Sequence, residues 1–222
     1  MKRIGIIAAL PGELKPLVRG WQQRGQFYTG RIGKTECIAT AGGIGAKAAA
    51  KACEMLLSEG KPDALVSYGW AGSLSCGLKP QQACVIYEVI DSRTGERFAT
   101  DYPAGQRLVT LDHVAHHDEK REIAQKYQAP LVDMEAAAIA RIAAEQNLPF
   151  YCFKGISDGA NDKLPDFNRF LGKDGQLRMP LFIAYALLHP QYWSALKQLD
   201  RQSKGAAGSL ASLATESLGR TL

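Results

Sequence analysis

The run Ile4-Gly5-Ile6-Ile7-Ala8-Ala9-Leu10 is unbroken in apolar and small residues, and Pro11-Gly12-Glu13 stops it. A strand with one wet face alternates polar and apolar side chains. A strand without alternation has to be covered on both faces. The run is too short for a transmembrane helix and for the core of a secretory leader. One strand of this kind near the N-terminus therefore asks for a sheet with helices packed on both sides.

The rest of the first two-thirds follows that demand. Phe27–Ile32 and Glu36–Ala41, separated by Gly33-Lys34, read as a hairpin. Ala46–Glu59 places Ala49, Ala52, Cys53, Leu56 and Leu57 on one helical stripe, which Gly60-Lys61-Pro62 ends. Ala64–Tyr68, Ala83–Ile90 and Leu108–Leu111 read as short buried strands. Glu119–Tyr127 reads as a charged surface helix, Leu131–Asp133 as a brief strand, Met134–Gln146 as an Ala-rich helix, and Phe150–Ile156 as a last strand. Strands separated by helices in this way predict an α/β fold, a three-layer α/β/α sandwich around a twisted, mostly parallel sheet.

The remainder reads as a C-terminal extension, so the expected division is a catalytic domain over 1–165 and a helical appendage over 166–222. Met179–Leu188 is strongly apolar, and Trp193, Leu196 and Leu199 continue at helical spacing. From Ser203 the chain falls to Gly, Ala, Ser and Thr with scattered leucines, which predicts a weak helix or a mobile end.

Composition narrows the function classes. The 222 residues hold 27 basic and 22 acidic side chains, a net +5, but the basic residues are scattered. Nucleic-acid binders carry theirs as a stripe or patch, so no nucleic-acid partner is expected. The 5 cysteines include no CxxC pair, which argues against a disulfide framework or zinc site and fits a reducing cytoplasm. His113, His116 and His117 lack the tight ligand set of a catalytic zinc, so no metal is expected.

Two motifs compete for the site. Gly43-Ile44-Gly45-Ala46-Lys47-Ala48 fits the dinucleotide pattern G-x-G-x-x-[G/A], but the next strand ends Ser67-Tyr68-Gly69-Trp70 without the acid that holds a ribose hydroxyl. The glycines then signal only a close backbone approach. The second signal is acids at strand ends: Glu13 after the first strand, Asp133 and Glu135 in Val132-Asp133-Met134-Glu135, and Asp158 in Ile156-Ser157-Asp158. Ligands of open α/β sheets bind outside the carboxyl ends of strands. Singly, each acid reads equally as a first-turn or capping residue. Three at the ends of separate strands point to one site.

With Gly69-Trp70-Ala71-Gly72 added, these segments resemble the family of purine nucleoside phosphorylases and methylthioadenosine/S-adenosylhomocysteine nucleosidases, from Arg3 to about Asp162. Within it the short middle section and the ending, with Phe170-Leu171-Gly172-Lys173-Asp174-Gly175, are similar to the hopanoid-associated phosphorylase branch, which is thought to take adenine from adenosylhopane. The resemblance implies cleavage of a purine N-glycosidic bond without a cofactor, in a homodimer. It places Asp158 beside the purine as proton donor, Glu135 as ribose clamp, Met134 under the sugar, Ser157 in the base pocket and Glu13 as the base that activates water. Asp133, in place of a more usual Glu, falls in the same site, as do Gly43, Trp70, Ala71 and Gly72, with Trp70 near the sugar.

Three alternatives remain open. Phosphate is the co-substrate if the enzyme is a phosphorylase. An arginine of the phosphorylases is replaced by Ser67, which leaves Arg31 and Lys47 as its partners. A nucleoside-binding protein without catalysis is the second. The third concerns Met179–Leu199: either it is a core helix, or Tyr185, Leu188, Tyr192 and Trp193, with Lys197, Arg201 and Lys204, touch the inner face of a membrane. The purine platform of the nucleosidases falls at Val114-Ala115, so base stacking is expected from elsewhere. The shortened region between Ile90 and Leu108 leaves the 5′ side open to a bulky substituent.

Overall fold

The structure, a computed structural model, describes residues 3–162, 164–170, 172 and 178–221. In chain order the elements are β1 (Arg3–Ala8), α1 (Pro11–Leu14), β2 (Gln22–Arg24), β3 (Phe27–Ile32), β4 (Thr35–Ala41), α2 (Ala46–Gly60), β5 (Ala64–Ser73), β6 (Ala83–Asp91), β7 (Arg97–Ala99), β8 (Gln106–Thr110), α3 (Lys120–Tyr127), β9 (Leu131–Asp133), α4 (Ala136–Glu145), β10 (Phe150–Asp158), α5 (Met179–Leu188) and α6 (Trp193–Thr221).

All strands join one mixed sheet in the order β10-β6-β8-β9-β5-β1-β4-β3-β2, with β7 on β6. The α/β class and the two-sided cover are as expected. The sheet is less parallel than the sequence implies. β1–β4, β1–β5, β5–β10, β6–β8 and β8–β9 are parallel, whereas β6–β10 and β5–β9 join those groups antiparallel. Because β10 also pairs β5, the strands β5, β9, β8, β6 and β10 close into a ring, and β1, β4, β3 and β2 extend from it as a wing. Local periodicity reports how a strand is covered, not which distant strand it pairs, so this closure is invisible in the sequence.

α2 and α4 cover one face, where Ala49, Cys53, Leu56, Ala137 and Ile139 pack on Ile7, Leu65, Val89 and Leu131. α1 and α6 cover the other, where Leu14, Leu210, Ala214 and Leu218 pack on Ile4, Ile6, Val66, Tyr68 and Phe153. The tail from Ser203, expected as a weak helix or a mobile end, is thus the larger, C-terminal part of a 29-residue helix. Ala206, Ala207, Leu210, Ala214 and Leu218 form its buried stripe. Small side chains suit this position because the helix lies close on β10: a Cβ on Gly155 would stand 2.8 Å from the Ala206 carbonyl oxygen. The described residues of 166–222 therefore do not form one appendage, since α6 completes the core.

Candidate active site

Acids from several strand ends converge on one cleft, which is lined by Glu13, Trp70, Ala71, Gly72, Asp133, Met134, Glu135, Ser157 and Asp158, with Ile44, His113, Val114, Ala115 and Lys120 among the remaining walls. Of the residues expected at the site, Gly43 alone does not line it. Its N–H donates to the Ala9 carbonyl (2.9 Å), and Ile44 supplies the wall there.

Glu13 is placed by α1, the short helix that follows β1. Its Oε2 accepts from the N–H groups of Ala9 and Leu10, both at 2.8 Å, and its Oε1 from that of Trp70 at 2.9 Å. Burial pushes its pKa up, against the pull of these three N–H groups and of the Lys154 charge. Glu135 stands at the start of α4 and its Oε1 accepts from the Gly45 N–H at 2.6 Å. The glycine motif therefore has a use: its backbone donor meets a carboxylate of the protein rather than a pyrophosphate. Burial, with the Asp133 carboxylate alongside, raises the Glu135 pKa to about 8, opposed by Lys154 and the Gly45 N–H.

The folded protein then holds a proton on Glu135 between pH 4.5 and about 8 that the unfolded chain has released. Stability from this group is complete below pH 4.5 and is lost as pH rises through that window, by up to about 1.4 kcal/mol per pH unit. Thermal melts of the ligand-free protein should fall from pH 5 to pH 8, and Glu135→Gln should flatten the trend. An unchanged slope in that variant would assign the effect elsewhere.

Asp158 ends β10. Its Oδ1 accepts from the Ser157 hydroxyl (2.7 Å) and its Oδ2 from the Lys120 ammonium (2.6 Å), which also donates to the Gly159 carbonyl (2.8 Å). β5 runs beside both acids without side chains at two points. A Cβ on Gly69 would stand 2.8 Å from Glu13 Oε1, and one on Gly72 3.1 Å from Asp158 Oδ2.

Asp133 behaves differently from the expectation of a substrate contact. Its carboxylate is fully buried, with Oδ2 2.9 Å from Lys154 Nζ and accepting from the Ala136 N–H at 2.9 Å, while Oδ1 accepts from the Thr110 hydroxyl at 2.6 Å. These three groups occupy both carboxylate oxygens and tie β9 to β8, α4 and β10, so Asp133 organises the floor. Lys154 also donates to Ser67 Oγ (3.1 Å). The serine in the arginine position of the phosphorylases is thus bonded beneath the cleft.

Two residues with charged roles were missed. Lys154 had a signal, an ionisable side chain inside the apolar run Phe150–Ile156, since a buried lysine is almost always paired. Lys120 had none. It lies in the segment Glu119–Tyr127 expected to be a charged surface helix, yet it is buried and turned to a partner 38 residues away. The histidines diverge: His113 bonds Asp112 and Glu119, and His116 approaches Asp166 and Asn168. Among the described residues no three His, Cys, Asp or Glu side chains are grouped to hold a metal. Val114 and Ala115 do line the cleft, clamped by Asn168, whose amide bonds the Val114 N–H (2.8 Å) and carbonyl (3.1 Å). Trp70 is the large aromatic wall, and its buried Nε1 has no hydrogen-bond partner among the described residues.

A family model described as the phosphorylase superfamily matches residues 3–118 and 109–178. The chain belongs to the phosphorylase superfamily. Among similar members, a 5′-methylthioadenosine/S-adenosylhomocysteine nucleosidase of Staphylococcus aureus is 27% identical over 212 residues, covering 77% of this chain and 92% of the relative. Two solved structures share the superfamily fold. An S-adenosylhomocysteine nucleosidase of Streptococcus pyogenes, in complex with 5-methylthiotubericidin, aligns with a TM-score of 0.76 at 22% identity over 100% of this chain and 98% of that one. The futalosine hydrolase of Helicobacter pylori aligns with 0.73 at 16% identity over 99% and 98%. The acids of the cleft lie at or just after strand ends inside the matched segments, while α5 and α6 lie beyond them.

Proposed function

We propose that this superfamily member hydrolyses the N-glycosidic bond of a 5′-substituted adenosine and releases adenine. The observation that carries the reading is the convergence of Glu13, Glu135 and Asp158 on one cleft. Breaking this bond leaves an oxocarbenium-like sugar and a poorly leaving base. An acid at the base, an anion or hydrogen-bond acceptor at the sugar and a base for water answer those demands. Asp158 protonates the purine, Glu135 holds the ribose hydroxyls, Glu13 takes the proton of the attacking water, and Met134 and Trp70 pack along the sugar. The Staphylococcus aureus relative, a 5′-methylthioadenosine/S-adenosylhomocysteine nucleosidase, supports the same substrate class.

Water rather than phosphate is the nucleophile, because a phosphate anion needs donors such as arginine. No arginine lines the cleft among the described residues. Arg31 pairs with Glu36 across β3 and β4 of the wing, and Lys47 is exposed in the first turn of α2. Incubation with 5′-methylthioadenosine, with and without phosphate, tests this. Adenine should appear at the same rate in both. Strict phosphate dependence would make the protein a phosphorylase, and tight binding without release would make it a nucleoside binder.

A lipid 5′ substituent such as the hopane of adenosylhopane is the finer reading. It is favoured by the surface beside the cleft. The exposed large hydrophobic side chains among the described residues all lie between 181 and 193: Leu181, Ile183, Leu187, Leu188 and Trp193, from 46% exposed at Trp193 to 78% at Leu188. Arg178, Lys197, Arg201 and Lys204 flank them. No helix among the described residues is long and apolar enough to cross a membrane. A short apolar helix with basic neighbours fits the lipid–water interface. This face is joined to the cleft, since Phe182 and Tyr185 of α5 pack on Phe167 and Phe170, which flank Asn168. The Leu171 and Lys173–Gly175 part of the branch ending lies outside the described residues. The protein should sediment with anionic vesicles, and Leu187→Glu/Leu188→Glu should release it. A protein that stays in solution and instead loses a homodimer in that variant would give the face to a second copy.

A further inference from the structure

The proton that Asp158 delivers has to be replaced, and the cleft holds a group placed to do so. Resting on the glycosidic reading above, we infer that Lys120 is the proton reservoir for Asp158, a positioning residue that recharges the carboxyl through Oδ2 as the purine departs.

The geometry carries the assignment. Both carboxylate oxygens of Asp158 already accept hydrogen bonds, Oδ1 from Ser157 and Oδ2 from Lys120. Ser157 Oγ also lies 3.3 Å from the Ala71 carbonyl, so its single hydroxyl hydrogen only orients the acid. Lys120 has three N–H bonds, of which one points to Asp158 Oδ2 and one to the Gly159 carbonyl. Its side chain is 4% exposed, yet it lines the cleft. A buried ammonium in hydrogen-bond contact with a carboxylate differs from a surface ion pair. Proton transfer along that contact turns two buried charges into none, so a low-dielectric site lowers the cost of the transfer.

Among the described residues, the other charged groups around the pair are few. Asp162 Oδ2 accepts from the Gly159 N–H (2.8 Å), and Glu119, preceding α3, is held by His113 (3.1 Å) and the His116 N–H (2.6 Å). None of these contacts a carboxylate oxygen of Asp158. Lys154, the other buried ammonium, is bonded to Asp133 and Ser67.

The step balances. Asp158 begins as the carboxylate that accepts from the Lys120 ammonium. The bond between C1′ and the base nitrogen breaks with its electron pair going to the purine, which takes a proton from Asp158 as Lys120 passes one to Asp158 Oδ2. Asp158 thus ends as a carboxylate again and Lys120 is left neutral. Water adds hydroxide to C1′ and its proton to Glu13. Glu13 then loses a proton to solvent and Lys120 regains one, so the net change is nucleoside plus water to adenine plus the free sugar.

The test compares adenine release by the wild-type protein, Lys120→Met and Lys120→Arg from pH 5 to pH 8. Without the reservoir, Asp158 is reprotonated by solvent, so the Met variant should lose about a hundredfold in kcat at pH 8 and less than about tenfold at pH 5, with KM little changed. Glu13 and Glu135 titrate in all three proteins and divide out of the ratio. Arg keeps the charge and cannot give up its proton, so it should fail as Met does. A deficit equal at both pH values, or full rescue by Arg, would overturn the assignment and leave Lys120 as a structural or electrostatic partner. Wild-type protein that releases no adenine would overturn the glycosidic reading, and this one with it.

Discussion

Asp158→Asn should lower kcat for adenine release by about a thousandfold or more while the protein stays folded. The base leaves poorly as an anion, and a positioned general acid contributes roughly 10²–10⁴ in rate. Asn keeps an oxygen that accepts from Lys120 and preserves the volume beside Gly72, where space is limited to 3.1 Å from a would-be Cβ. It carries no transferable proton. Asp158→Ala would also remove activity, but it strands the buried Lys120 ammonium, so its loss mixes chemistry with stability. Adenine release measured beside a thermal melt separates the two. A folded Asn variant with near-normal turnover would remove Asp158 from the mechanism.

The second large effect is on stability. Lys154→Met should destabilise the protein by about 3–5 kcal/mol, the usual cost of breaking a buried pair from one side. It leaves Asp133 charged and wholly buried at the head of a floor that also holds Glu13 and Glu135, both of which feel the Lys154 charge. Adding Asp133→Asn to Lys154→Met removes the stranded charge and should recover most of the loss. Urea denaturation of the wild type, the single variant and the double variant measures this. A single variant within about 1 kcal/mol of wild type would show that water reaches the floor and solvates Asp133.

Much of the site was legible because Glu13, Glu135 and Asp158 sit where strands end, and in an α/β sheet that location alone brings distant residues together. Asp133 was read as a member of the same site for the same reason. That its carboxylate meets Thr110 shows only in the register of β9 against β8. Lys120 and Lys154 could not be paired from sequence, since their partners lie 38 and 21 positions away on other elements. The tail was misjudged by weighing bulk. Ala206, Leu210, Ala214 and Leu218 recur every four residues, a stripe that needs little volume when the backbone approaches as closely as α6 approaches Gly155. Ring closure was out of reach, because nothing local in β10 announces that it pairs β5 and β6 at once.

That closure bears on how solvent deuterium would enter the molecule. Each ring strand is laddered on both sides, so none can lift away without breaking two sets of hydrogen bonds. The amides of β5 and β10 should therefore exchange together, in the rarest opening of the whole protein, while β2, three exposed residues at the end of the wing, and β7 exchange early. Asp158 and Glu135 hang from the ring strands β10 and β9, and Glu13, which follows β1 of the wing, is tied to the ring by the Trp70 N–H of β5. Their mutual distances are thus fixed by the slowest-opening part of the chain rather than by a loop closing over substrate.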